Sequence, residues 1–114
     1  QQVDPSRVGS FGILECSKVN GFQYVSRMIE KPEPGETSST LAAFGRYLVT
    51  PEILEIFKNI PVGNAGELWF VDSVIEYIRR GGSMCSHILK TGRWYTVGDP
   101  VGYSEAVIAA ADLQ

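Results

Sequence analysis

At 114 residues the chain is long enough for one domain with a core and too short for two. Hydrophobic residues at 44% and charged residues at 20% exclude a disordered tail. The formal net charge is −3 and the Lys and Arg are scattered, so no basic stripe exists and no nucleic-acid partner is expected. No stretch is long enough to span a membrane and no signal peptide is visible, so no membrane partner and a cytoplasmic location are expected. Cys16 and Cys85 lie far apart and lack CxxC or Cys/His spacing. Reduced, buried thiols are the expectation, with a disulfide the lesser alternative. The chain starts at Gln1 rather than Met, which reads as a processed product, an artificial excision or a piece of a longer protein.

Residues 1–10 are polar, with Pro5 and Gly9, and read as an irregular lead-in. Residues 11–16 form a short apolar run with Gly12 inside it, and glycine in a strand weakens it unless something must approach the backbone. Residues 17–21 end in Asn20-Gly21, a strong hairpin signal, and residues 22–29 are the returning strand. At its exit stand Glu30, Lys31 and Pro32. Proline biases Lys31 towards an extended backbone, and neighbouring side chains on such a segment point to opposite sides. A carboxylate and an ammonium at the mouth of a strand can hold a polyhydroxylated anion, the one accepting from hydroxyls and the other neutralising phosphate. The plainer reading of the same residues is a strand running into a solvated turn.

After a polar loop at 33–40, residues 41–49 (LAAFGRYLV) are almost continuously apolar, as in an interior strand covered on both faces. Gly45 and Arg46 interrupt the run and point to close approach by a ligand or another backbone. Thr50-Pro51-Glu52 is a helix start, and that helix should run to about Asn59. Residues 61–66 read as a loop. Phe70, Val71, Val74, Ile75 and Ile78 have helical spacing over 67–80, with Arg79 and Arg80 at the C-terminal end and Gly81-Gly82 as the stop. Residues 83–89 and 93–97 read as strands around a turn at 90–92. Asp99 and Pro100 then open a last helix with Tyr103, Val107 and Ala110 or Ala111 along one face. The order β-β-β-α-α-β-β-α gives an α/β class with a mixed sheet, a β-hairpin and about three helices in one domain, α+β being the alternative.

His87, the single histidine, has no nucleophile at a motif spacing and reads as structural. Trp69, Trp94, Tyr95 and Tyr103 read as core or interface residues, and Glu52 and Glu55 as the solvated face of a helix.

Five stretches then occur in a familiar order: Phe11-Gly12-Ile13, Ile29-Glu30-Lys31-Pro32, Gly45-Arg46-Tyr47, Gly66-Glu67-Leu68 through Asp72, and Val97-Gly98-Asp99-Pro100 with Gly102-Tyr103. From about Val8 onwards the chain resembles the C-terminal, sugar-binding half of the sugar-nucleotidyltransferases, most closely the bacterial UTP–glucose-1-phosphate uridylyltransferases. The resemblance implies a Rossmann-like nucleotidyltransferase fold lacking its N-terminal half. The family reaction is attack of a sugar 1-phosphate oxygen on the α-phosphate of a nucleoside triphosphate, with release of pyrophosphate. It implies that Glu30 accepts from sugar hydroxyls, that Lys31 holds the sugar's phosphate, and that Gly12 and Gly45 admit the sugar ring. Arg46 joins this set, or else answers a buried acid.

Three departures from the family pattern stand out. Thr96 takes the place of a metal-binding aspartate, and threonine is a poor Mg²⁺ ligand, so Mg²⁺ is expected only in a complete enzyme. Trp69-Phe70-Val71 replaces a Gln-Leu-Thr. The glycine-rich loop that cradles the triphosphate has no counterpart in these residues. The expectation is therefore a chain inactive alone, binding at most a sugar 1-phosphate or nucleotide-sugar, and forming a homo-oligomer, a dimer, through exposed sheet edges. The alternative is a binding or oligomerisation module that kept the fold and lost the chemistry.

Overall fold

Asn20 and Gly21 have φ of 50° and 83°, the left-handed pair that a two-residue hairpin turn demands. They join β1 (Gly12–Val19) to β2 (Phe22–Glu30) in an antiparallel pair, in a computed structural model that describes residues 1–62 and 66–112. The register slips between Glu15 and Cys16, which pair with Arg27 and Val25, so Ser26 is the extra residue of a β-bulge. Its hydroxyl donates to the Glu15 carbonyl at 3.0 Å and anchors the bulge.

β3 is only Cys85–Ser86, paired with Gln23 and Tyr24, and completes a sheet in the order β1-β2-β3. Among the described residues the sheet is antiparallel throughout, rather than mixed. The strand expected over 83–89 thus shrinks to two residues, and the one expected over 93–97 does not form. The apolar run 41–49 is not an interior strand either. Only Leu41 and Ala42 make isolated bridges, to Gln2 and Ile13. A strand needs a neighbouring backbone, and here only β1 and the first residues supply one; burial stops with the same two residues, and Leu48 is fully exposed. Those first residues are more ordered than their composition indicated. Gln2 bridges Leu41, and a 3-10 helix over Pro5–Ser10 is capped by Asp4, whose Oδ1 accepts from the Ser6 N–H at 2.9 Å.

The helices begin where the sequence signals place two of them, at Thr50-Pro51 for α1 (Pro51–Asn59) and Asp99-Pro100 for α3 (Pro100–Ala111). α2 (Phe70–Arg79) starts three residues after Glu67. The loop expected at 61–66 falls partly outside the described residues, since 63–65 are not among them. α2 packs on β2 and α1 packs on α2, enclosing Ile13, Val25, Ile29, Ile53, Ile56 and Val74. Inside, the fully buried Ser73 hydroxyl donates to the Phe70 carbonyl at 2.6 Å, so its polar group is satisfied.

Among the described residues α3 packs on no other helix or strand to a comparable extent, and the face that carries Tyr103 and Val107 is open, the two being 59% and 52% exposed. Both thiols are free, but neither is buried as expected: Cys16 is half-buried and Cys85 is exposed. No helix among the described residues is long and apolar enough to cross a membrane.

Candidate functional site

The hairpin's register sets Gly12 directly opposite Glu30. A Cβ at position 12 would lie 2.8 Å from Glu30 Oε2 and 3.2 Å from Met28 Cε. Glycine there lets the glutamate fold across its strand partner. Beyond Glu30 the strand makes one last backbone bond, from the Lys31 N–H to the Phe11 carbonyl at 3.0 Å. Lys31 itself has φ of 48°, in the left-handed region and not the extended conformation that a following proline favours. Pro32 is buried, and seating it while the chain leaves the sheet outweighs the local bias. A non-glycine residue held this way is strained by about 1–3 kcal/mol.

Glu30 and Lys31 line a cleft of about 550 Å³ together with Gly12, Gly45, Tyr47 and Trp69. Gly45 has φ of 27°, so its own backbone asks for glycine, and no atom comes within 4 Å of where its Cβ would be. Lys31 Nζ sits 5.9 Å from the centroid of the Trp69 ring, a cation–π distance. The Trp69 indole N–H donates to Glu67 Oε2 at 3.0 Å. Tyr47 packs against Phe70, their ring centroids 5.3 Å apart. Burial, and then the Glu30 carboxylate, hold the Tyr47 hydroxyl above its ordinary pKa. Among the described residues no side-chain hydrogen bond or ion pair engages the Glu30 carboxylate or the Lys31 ammonium.

Four of the five residues singled out from the sequence therefore share a cleft: Gly12, Glu30, Lys31 and Gly45. Arg46 does not join them. It is exposed and lines a second, larger groove of about 680 Å³ with Leu41, Phe44, Met84 and Trp94. His87 lies in that groove as well. Thr96 faces a third cleft, among Asp4, Arg7, Arg93 and Asp99, and its Oγ1 accepts from the Gly98 N–H at 3.4 Å. Among the described residues no three His, Cys, Asp or Glu side chains come together as a metal site, so this donor set does not fit a Mg²⁺ ion.

Sequence reasoning did not place Tyr47 and Trp69 in the site. For Trp69 a signal existed: a large ring stands two residues from Glu67, where the resembling family carries a glutamine.

The nucleotidyl transferase family pattern matches residues 2–112. The UTP–glucose-1-phosphate uridylyltransferase of Pseudomonas aeruginosa is 30% identical over 107 residues, covering 93% of this chain and 38% of that enzyme. The UTP–glucose-1-phosphate uridylyltransferase YngB of Bacillus subtilis is 33% identical over 107 residues, covering 93% of this chain and 35% of that one. A crystal structure of UDP-glucose pyrophosphorylase complexed with UDP-glucose superimposes with a TM-score of 0.86 at 28% identity, covering 100% of this chain and 43% of that chain. The chain thus spans 35–38% of the length of these two curated relatives.

Proposed function

Because the chain belongs to the nucleotidyl transferase family, we propose that its cleft binds the sugar phosphate of a reaction that forms a nucleotide-sugar, UDP-glucose or a close analogue. The observation that carries this reading is the convergence on one cleft of a carboxylate and an ammonium, neither in a hydrogen bond or ion pair among the described residues, with two glycines. Glu30 accepts hydrogen bonds from ring hydroxyls, and each such charge-assisted bond contributes about 1.5–3 kcal/mol. Lys31 neutralises the phosphate. Gly12 and Gly45 leave room for the ring beside the backbone. Arg46, in the second groove, is left out of this set.

For the transfer itself, these residues hold the nucleophile: they orient a phosphate oxygen for attack and offset its charge. The described residues supply no cradle for a triphosphate and no carboxylate set for a metal, so no step here runs through either. Titration with glucose 1-phosphate and UDP-glucose, followed by amide NMR, tests the reading. Shifts should cluster on Gly12, Glu30, Lys31 and Gly45 and vanish in Lys31→Ala.

A second reading, a non-catalytic binding or self-association module, is favoured by Thr96 and by the open apolar side chains of α3. It takes over if millimolar ligand moves no resonance of a folded sample. On either reading the exposed sheet edges are expected to pair with a second copy, giving a dimer. A solution mass of one 12.5 kDa chain by light scattering would refute that.

A further inference from the structure

Trp69 lines the cleft from the position that precedes α2, and its carbonyl and its indole N–H are already engaged. Its carbonyl accepts the Asp72 N–H at 3.1 Å, tying it to the first helical turn, and its indole N–H donates to Glu67. What remains to the cleft is the π-face of a ring held by its N–H on an anchored backbone. The ring is half-buried and is not among the buried core residues, so packing alone does not account for its position. The ammonium of Lys31 stands over it.

A hexose has a polar rim and two carbon–hydrogen faces. A cleft that satisfies the rim with Glu30 and the phosphate with Lys31 still needs an apolar partner for a face. We propose that Trp69 is that partner: its indole stacks on the carbon–hydrogen face of a hexose phosphate whose ring hydroxyls are equatorial, and the Lys31 ammonium moves from the ring to the phosphate. This rests on the sugar-phosphate reading above. An axial hydroxyl on the stacked face would hold the ring away from the indole, so Trp69 also selects among epimers.

The test compares glucose 1-phosphate with inorganic phosphate, reading amide shifts of Glu30 and Lys31 in the wild-type chain, Trp69→Leu and Trp69→Phe. Stacking predicts that Trp69→Leu weakens glucose 1-phosphate about three- to tenfold, leaves inorganic phosphate unchanged, and is largely rescued by Trp69→Phe. A second measurement does not depend on Trp69→Leu folding. In Trp94→Phe, where Trp69 is the sole tryptophan, saturating inorganic phosphate should change the indole emission only by drawing Lys31 off the ring, and glucose 1-phosphate should add a further change from stacking. Equal affinity in wild type and Trp69→Leu, with shifts at Glu30 and Lys31 intact, overturns the stacking role and leaves the sugar-phosphate reading standing. No shift with glucose 1-phosphate in the wild-type chain overturns both. Parallel loss of inorganic phosphate in Trp69→Leu also overturns stacking, because it assigns Trp69 to holding the cleft's shape.

Discussion

Substituting Gly12 by alanine separates the fold from the site. The new methyl would meet Glu30 Oε2 at 2.8 Å and Met28 Cε at 3.2 Å. Both are the far ends of flexible side chains, and neither is backbone. Gly12 lies in a strand without a positive φ, so alanine suits the conformation and removes a glycine entropy cost of about 0.5–1 kcal/mol. Displacing the Met28 methyl costs a similar amount, about 1 kcal/mol. The two effects nearly cancel, and global stability should move by less than about 1 kcal/mol. The ligand effect does not cancel. The carboxylate must leave the position opposite Gly12, and one charge-assisted hydrogen bond lost is about 1.5–3 kcal/mol, or roughly ten- to a hundredfold in affinity for glucose 1-phosphate. Urea denaturation gives the first quantity and NMR titration the second. Glu30→Ala provides the control: in that background Gly12→Ala should lose only what the methyl takes from the ring's room, a smaller step than in the wild-type chain. A midpoint shift equivalent to 3 kcal/mol, or unchanged binding, would refute the reasoning.

Gly102 makes the opposite case. A Cβ there would lie 2.5 Å from the Thr96 carbonyl oxygen, which is backbone and cannot swing away, so Gly102→Ala should lose about 1–2 kcal/mol in urea despite its better helix propensity. A more stable variant would contradict this. Lys31→Gly relieves the left-handed strain and should gain up to about 1 kcal/mol while weakening phosphate binding at least tenfold, and a lower urea midpoint would count against it. Hydrogen bonds from Arg79 and then Arg80 lower the Glu76 carboxyl from the usual 4.5 to about 2. A folded pKa below the unfolded one contributes stability that is fully present above about pH 4.5 and fades as pH falls towards about 2. Glu76→Gln should therefore flatten the stability profile across that window, and an unchanged acid limb in thermal melts would exclude the ion pairs in solution.

What the sequence made legible was local. Asn20-Gly21 declares a turn that only left-handed residues can make, and Thr50-Pro51 and Asp99-Pro100 declare helix starts, because each signal depends on a few adjacent residues. The run 41–49 misled because apolar content says nothing about which backbone is available to pair. Lys31 misled in another way: the restriction from Pro32 is real, but the burial of Pro32 and the bond to Phe11 outweigh it. The site was half legible. Glu30, Lys31 and the two glycines carry chemistry in their own residue types, whereas Tyr47 and Trp69 become cleft residues only through the packing of α2 on β2.

The bulge at Ser26 gives the hairpin one residue of slack. Loss of a single residue from 26–28 would straighten the ladder, yet Ile29 could still pair with Ile13 and Glu30 with Gly12, as they do now. Insertion has no such reserve, because a second extra residue would have to slide the strand end past Gly12 or widen the bulge. In an evolving lineage this hairpin should tolerate shortening on its returning arm more readily than lengthening. The turn and the cleft can then change independently, with the distance between them buffered by one serine.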